Sequence, residues 1–113
     1  MTIMAFHVFL QEQVDAAILE VGIGGTYDAT NVVPKPLATG VSALGYDHMA
    51  ILGKTLAEIA QQKAGIFKVR EVHRKKLTLQ PGVPAVSVEQ PEEGATMLKS
   101  RAAELKVRRS HAG

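Results

Sequence analysis

The chain has 113 residues, of which 46% are hydrophobic and 21% charged, and its formal net charge is +2, a composition typical of one small globular domain. It contains no cysteine, which excludes disulfide scaffolds and thiolate metal sites. Basic residues crowd positions 68–76 and 106–109 without interleaved aromatic residues, so we expect no nucleic-acid partner. The apolar start has no basic leader and is too short to span a bilayer, so we expect no membrane partner either.

The first two predicted elements are an apolar helix and a buried strand. Ile3 to Glu12 carries a broad apolar face at helical spacing, which requires a covering partner. Asp15 to Val21 has no helical period and holds one carboxylate near its end, Glu20, which is typical of a strand buried on both faces of a parallel sheet. Ligands of open α/β sheets bind at the carboxyl ends of strands, so Glu20 is a candidate metal ligand or catalytic residue. The alternative is a solvated or helix-capping carboxylate.

Three further elements are predicted in the middle of the chain. Leu37 to Leu44 is apolar and partly β-branched, which indicates a second buried strand. The loop 45–48, Gly-Tyr-Asp-His, follows that strand directly. From Lys54 to Phe67 the pattern becomes helical, and Thr55 with Glu58 three residues later is the arrangement of a capping box.

The remainder is expected to add one strand and one helix. A Pro-Gly turn at 81–82 precedes a short strand from Val83 to Val88, and Pro91 to Lys106 has the spacing of an amphipathic helix. The inward positions of that helix are Met97, Leu98, Ala102 and Leu105. Val107 to Gly113 is expected to fray. Alternating strands and helices predict an α/β fold, a parallel sheet with right-handed crossovers.

Three chemically active side chains are expected near one edge of this sheet. Glu20 ends the first predicted strand, His48 follows the second, and Lys63 lies on the apolar stripe of the next helix. A carboxylate, a neutral imidazole, waters and phosphate oxygens together complete the octahedral shell of Mg²⁺. Asp47 is either a further ligand or the partner that fixes the imidazole tautomer. For Lys63 the alternative is a stem packed on the surface with its ammonium group in water.

Several motifs occur in a fixed order along the first 68 residues. They read Glu-Val-Gly-Ile-Gly-Gly at 20–25, Asp-Ala-Thr-Asn at 28–31, Leu-Gly-Tyr-Asp-His at 44–48, Ile-Leu-Gly at 51–53 and Ile-Ala-Gln-Gln-Lys-Ala-Gly-Ile-Phe-Lys at 59–68. Together with Pro-Gly-Val-Pro-Ala at 81–85, these motifs resemble the folylpolyglutamate synthases of the ATP-dependent Mur ligase superfamily. The resemblance implies an α/β fold with a partial parallel sheet and flanking helices, a piece of the central P-loop-type domain of these ligases.

The resemblance also implies a reaction and a site. In this family ATP phosphorylates the terminal carboxylate of a folate, and the amine of L-glutamate attacks the acyl phosphate to give an amide, ADP and phosphate. Glu20 and His48 match the family's Mg²⁺ ligands. Lys63 matches a lysine that is often carbamylated, a reaction that requires the neutral amine. The other matched positions, expected to bind the cofactor or to fix its loop, are Gly22, Gly24, Gly25, Asp28, Thr30 and Asn31.

Two departures from the family pattern bear on activity. The family's Gly-rich phosphate-binding loop, ending in Gly-Lys-Ser/Thr, belongs well upstream of the Glu20 position, and we expect the chain to lack this loop and the family's C-terminal domain. Residues 69–80 intervene where the family runs almost directly from the Lys68 position into a turn, which indicates either an unspliced segment or a surface loop. The expected division is a central-domain piece at 1–68, an atypical insertion at 69–80, a strand–helix continuation at 81–106 and a frayed tail at 107–113.

The predicted function is that of a fragment of folylpolyglutamate synthase, which ligates L-glutamate to the γ-carboxylate of folylpolyglutamate, with negligible activity in the short chain alone. The alternatives are a non-catalytic truncated remnant or splice product and a related Mur-type ligase acting on a peptidoglycan precursor. The implied partners are ATP with Mg²⁺, folate and L-glutamate. The complete enzyme is expected to be monomeric and cytoplasmic, with a mitochondrial form as the alternative.

Overall fold

The computed structural model describes residues 1–68 and 82–111, with the backbone alone for residues 107–111. Its helices are α1 (Thr2–Gln11), α2 (Met49–Leu52), α3 (Leu56–Lys63) and α4 (Glu92–Glu104), and its strands are β1 (Thr39–Val41), β2 (Gly82–Ser87) and β3 (Val107–His111). Short 3₁₀ turns occur at Ala29–Val32 and Ala64–Ile66.

The three strands form one parallel sheet in the order β1-β2-β3. Thr39 lies opposite Ala85 in the first pair, and Ala85 lies opposite Arg109 in the second, so β2 is the central strand. In the chain, α2 and α3 lie between β1 and β2, and α4 connects β2 to β3. This arrangement confirms the predicted α/β fold with a partial parallel sheet and flanking helices.

The core forms where α3 and α4 pack against each other and share buried residues with β1 and β2. Ile59 in the middle of α3 is 0% exposed, and α4 contributes Leu98 and Ala102. The other core residues are Val41, Leu44, Leu52, Leu56, Ala60, Ala64, Phe67 and Ala85, with Ile66, Met97 and Leu105 packed against them. Because the buried positions of both helices recur at helical spacing, the predicted apolar stripes are confirmed.

The start of α3 is the predicted capping box. Thr55 Oγ1 accepts the Glu58 N–H at 3.2 Å, and the Glu58 carboxylate accepts the N–H groups of Lys54 and Thr55 at 2.6 and 3.1 Å. These bonds, that of the Lys54 N–H above all, hold the pKa of Glu58 below its ordinary value. The helix is shorter than predicted, because it ends at Lys63 and the chain continues as the 3₁₀ turn 64–66.

The predicted first strand, Asp15 to Val21, is wrong, since the structure has irregular chain there. Ile18 in this segment is 97% exposed. A strand that is apolar on both faces is stable only when neighbouring strands pair with it and helices cover it. None of the strands in the described part of the chain pairs with residues 15–21, and none of the apolar side chains of this segment is fully buried.

The opening helix α1 is present as predicted, and its apolar face is uncovered. None of its residues is buried, and the side chains of Ile3 and Leu10 are 86% and 78% exposed. Phe6 and Phe9 pack edge to face, with ring centroids 6.4 Å apart. Within residues 1–68 and 82–111, no helix combines the length and the hydropathy that crossing a bilayer demands.

The structure differs from the prediction at three further places. β1 occupies only Thr39–Val41 of the predicted strand Leu37–Leu44. The four residues of α2 are too few to show a helical period in the sequence. The tail predicted to fray forms β3 at 107–111, because it pairs with β2, a partner distant in sequence. The predicted insertion at 69–80 lies outside the described residues, and the domain boundaries stay predictions.

Candidate functional site

The loop that follows Glu20 is folded around the carboxylate of Asp28. Its Oδ2 accepts the N–H groups of Gly22 and Ile23 at 3.0 and 3.3 Å. Its Oδ1 accepts the hydroxyl and the N–H of Thr30 at 2.6 and 2.9 Å. These bonds, with the Thr30 hydroxyl first among them, favour the charged form and lower the pKa of Asp28. Asp28 also caps the 3₁₀ turn 29–32, so it has loop-fixing contacts.

The same loop is packed on the C-terminal end of α3. Thr26 donates both its N–H and its hydroxyl to the carbonyl oxygen of Gln62, at 3.0 and 3.1 Å. The Asn31 side-chain amide donates to the carbonyl oxygens of Thr26 and Gly65, at 3.1 and 3.2 Å. The loop and the last turn of α3 therefore form one hydrogen-bonded unit, which we call the loop–helix unit (residues 22–31 and 62–65).

Glycines allow the two parts of the loop–helix unit to approach closely. A Cβ on Gly25 would lie 2.9 Å from the carbonyl oxygen of Lys63, and a Cβ on Gly65 would lie 2.6 Å from Cα of Thr26. Gly24 has a φ of +71°, a left-handed conformation that glycine adopts without strain. The structure thus gives these glycines a packing role, and their binding of a cofactor stays a prediction.

His48 lies at the turn between β1 and α2. Its φ of +49° is left-handed, and its N–H donates to Asp47 Oδ1 at 2.7 Å. The imidazole Nε2 is 3.6 Å from Asp47 Oδ2, and the side chain is 45% exposed. This separation is longer than a hydrogen bond, so the Asp47 carboxylate does not fix the tautomer of the ring.

The remaining predicted residues, Glu20 and Lys63, flank the loop–helix unit. Glu20 is exposed on irregular chain just before Gly22, and Lys63 is half-buried at the end of α3. Across the described residues, no group of three or more His, Cys, Asp or Glu side chains is arranged to hold a metal. The joint role of Glu20, His48 and Lys63 therefore stays a prediction.

The donor set nevertheless fits a Mg²⁺ ion bound largely through other oxygens. One carboxylate and one imidazole are two ligands of an octahedral shell, and Mg²⁺ in proteins keeps several waters and takes phosphate oxygens. Glu20 and His48 are both accessible to solvent, so the ion could retain its waters. Both residue types are therefore compatible with such a shell, and their binding of Mg²⁺ stays a prediction.

A Gly-Lys-Thr triplet at residues 53–55 contradicts the expectation that the chain has no such run. The full phosphate-loop pattern would need glycine at position 48, where His48 stands. The N–H groups of Lys54 and Thr55 bind the Glu58 carboxylate, so they cannot at the same time bind phosphate oxygens. The triplet is the cap of α3 rather than a phosphate-binding loop.

The predicted site lacked Thr26, Gln62 and Gly65, which join the loop to the end of α3. Gln62 contributes its main-chain carbonyl, for which side-chain chemistry gives no signal. Gly65 had a signal, since a glycine inside a helical pattern often marks a close backbone approach.

No family model matches the chain. The chain is 51% identical over 107 residues to the folylpolyglutamate synthase of Arabidopsis thaliana, an alignment that covers 95% of this chain and 17% of that protein. It is 54% identical over 102 residues to the mitochondrial folylpolyglutamate synthase of Cricetulus griseus, covering 90% of this chain and 15% of that protein. The chain belongs to the folylpolyglutamate synthase family. It spans about one sixth of the length of these curated relatives.

Solved structures of folylpolyglutamate synthases have the same fold. A structure described as an FPGS–AMPPCP–folate complex matches with a TM-score of 0.79 at 32% identity, over 95% of this chain and 23% of that one. The enzyme of Thermotoga maritima matches with a TM-score of 0.74 at 33% identity, over 97% of this chain and 21% of that one. The chain therefore has the fold of the corresponding segment of this enzyme family.

Proposed function

We propose that the chain is part of an ATP-dependent ligase that adds L-glutamate to the γ-carboxylate of a folylpolyglutamate through an acyl phosphate. The observation that carries the proposal is the 51% identity to a folylpolyglutamate synthase over 95% of the chain. A solved family member is described in complex with an ATP analogue and folate, which supports ATP and folate as ligands of the complete protein.

In this proposal Glu20 and His48 are the Mg²⁺ ligands. The ion, when bound, supplies positive charge that offsets the charge on the phosphate oxygens. His48 presents its imidazole from the turn after β1, where the side chain is 45% exposed. Glu20 presents its carboxylate just before Gly22, whose N–H is bound to Asp28, so the backbone beside Glu20 is fixed.

Lys63 is proposed as the carbamylated lysine. Its half-buried position at the end of α3 removes part of its surroundings from water, and Gly25 lies against its carbonyl oxygen. A carbamate there would place an anion beside the loop that follows Glu20. The loop positions proposed to bind the cofactor are Gly22, Gly24, Gly25, Asp28, Thr30 and Asn31.

L-glutamate as second substrate, a monomeric complete enzyme and a cytoplasmic location belong to the same proposal. Relatives named as mitochondrial, such as that of Cricetulus griseus, support a mitochondrial form as the alternative.

The test is a segment exchange. In the full-length Arabidopsis thaliana relative, the matching segment is replaced by this chain, and incorporation of labelled glutamate is measured with ATP, folate, Mg²⁺ and bicarbonate. We expect incorporation that Glu20→Ala or His48→Ala lowers by about 100-fold, because each removes a metal ligand. Glu89→Ala, which removes an exposed carboxylate outside the proposed site, is the matched control and should leave activity unchanged.

Two outcomes would contradict parts of this proposal. A folded exchanged enzyme without incorporation would favour the non-catalytic remnant over the ligase. Full activity of the Glu20→Ala and His48→Ala variants would remove these residues from the metal site. The 113-residue chain assayed alone is expected to incorporate negligible glutamate.

A further inference from the structure

Gln90 lies between β2 and α4, outside every motif described above. Its Oε1 accepts the Leu44 N–H at 2.8 Å, and its Nε2 donates to the Ser42 carbonyl oxygen at 2.8 Å. A third bond runs from Nε2 to Ser87 Oγ at 3.0 Å. One side chain therefore joins the segment after β1 to the end of β2.

The bonds to the segment after β1 reproduce a parallel bridge opposite Ala43. In a parallel ladder, a residue donates its N–H to the residue before its opposite number and accepts the N–H of the residue after it. The Gln90 amide makes this pair of bonds to the two neighbours of Ala43. A backbone bond between the same two segments, from the Val88 N–H to the Val41 carbonyl oxygen at 3.3 Å, lies just before this bridge. The side chain thus extends the β1–β2 ladder.

The extended ladder ends where the turn to His48 begins. Leu44 is buried, and its Cδ1 occupies the space that a Cβ on Gly94 of α4 would need. On the other side of the turn, the His48 carbonyl oxygen accepts the N–H of Leu52, another core residue, at 2.9 Å. Only the turn 45–47 separates Leu44 from His48, so the position of Leu44 sets where the turn to His48 begins.

We propose that Gln90 is a positioning residue for His48. Its amide fixes Ser42 and Leu44 and thereby sets where the imidazole stands at the carboxyl end of β1. The structural part of this inference depends on the hydrogen bonds alone. Its consequence for the reaction rests on the proposed Mg²⁺-binding role of His48.

Amide hydrogen exchange in the 113-residue chain tests the structural part. Gln90→Met keeps the length of the side chain but removes its hydrogen bonds, so the amides of Leu44 and His48 should exchange about tenfold faster. Gln90→Glu keeps an acceptor for Leu44 but sets an oxygen against the Ser42 carbonyl, so His48 should again exchange faster while Leu44 changes less. Ser87→Ala is the matched control, because it removes one partner of Gln90 and leaves the parallel bridge intact.

Faster exchange at Leu44 without any change at His48 would overturn the proposal, since Gln90 would then stabilise only its own contacts. Gln90→Glu decides the question if Gln90→Met does not fold. An equal effect of Ser87→Ala on His48 would also overturn it, because the parallel bridge would not be the cause.

The exchanged ligase tests the consequence for the reaction. Gln90→Met should raise the half-saturating Mg²⁺ concentration about threefold, less than the loss of a direct hydrogen-bond partner of the ligand would, because Gln90 acts on His48 through Leu44 and the turn. At saturating Mg²⁺, kcat should stay within about twofold of the unmodified enzyme. Loss of folded enzyme would instead lower kcat and leave the half-saturating Mg²⁺ concentration unchanged. Unchanged Mg²⁺ dependence together with faster exchange at His48 would support Gln90 as the positioning residue and contradict the metal role of His48.

Discussion

Residues 1–21 form one region, and residues 39–68 with 82–106 form a second. Both carry many apolar side chains, yet only the second region buries them. Ile18 is 97% exposed and Ile59 is 0% exposed, although the residue type is the same. In the second region α3 offers a single apolar stripe, and α4 and the sheet cover it. In the first, α1 and the segment 15–21 have no covering element among the described residues.

The two regions show that an apolar sequence alone does not determine whether its side chains are buried. In an amphipathic helix, the spacing of the apolar residues indicates which face is covered. A segment that is apolar on all sides depends on partners that its own sequence does not contain. The contrast between the two regions can be measured.

The largest effect is expected from truncating the same residue type in the two regions. Ile59→Ala should lower the free energy of unfolding by about 2–5 kcal/mol, because it leaves a cavity in the core. Ile18→Ala should change it by less than about 0.5 kcal/mol, since the side chain is already in solvent. Urea denaturation followed by circular dichroism measures both, and similar losses for the two variants would abolish the distinction between the regions.

A smaller loss of stability is expected when alanine replaces a glycine that packs closely against other backbone than when it replaces a glycine with free space beside it. In Gly65→Ala the new Cβ would lie 2.6 Å from Cα of Thr26, so the loop–helix unit must shift, at a cost of about 1–3 kcal/mol. Gly40→Ala is the matched control, because no atom lies within 4 Å of its new Cβ. Thermal unfolding should show a lower midpoint for Gly65→Ala alone, and tolerance of both alanines would mean that the loop does not pack on α3.

The smallest effect is expected from pH at the loop that joins the two regions. Asp28 has a lower pKa in the folded chain than its ordinary 3.8, so its stabilisation is present above that pH and is lost as the pH falls through the folded value. Asp28→Asn cannot titrate and should flatten this part of the stability profile. Asp28→Ala, which also loses the cap, should cost about 1 kcal/mol at neutral pH.

Denaturant titrations between pH 2 and 7 measure this dependence. Asp15→Asn is the control, because Asp15 takes no part in the hydrogen bonds of the loop. A profile for Asp28→Asn that matches the unmodified chain at low pH would show that the loop carboxylate does not contribute.

The sequence correctly predicted the parts of the fold that depend on residues close together in the chain. The capping box of α3 and the inward residues of α4 follow from spacing within one helix, and both are present. The strand at 107–111 follows from pairing with β2, which its basic sequence does not indicate. The strand predicted at 15–21 is wrong because its apolar pattern requires neighbouring strands, which are absent from the described sheet.

For the candidate site, the sequence identified side chains but not the contacts that hold them. Asp28 and Thr30 were recognisable as polar loop residues, and the structure shows the hydrogen bonds between them. The carbonyl oxygen of Gln62 and the amide of Gln90 act through geometry set by residues far away in the chain. Spacing along the sequence does not specify such contacts.

The Gly-Lys-Thr triplet shows how one turn can serve two incompatible purposes. A phosphate group and a capping carboxylate seek the same backbone N–H groups at the start of a helix. Here the carboxylate of Glu58 already acts as the anion, so α3 carries its own intramolecular ligand. A phosphate would have to displace a group that is covalently tethered and therefore always present at high local concentration. In this chain Glu58, three positions after Thr55, therefore occupies the N–H groups that a phosphate would need.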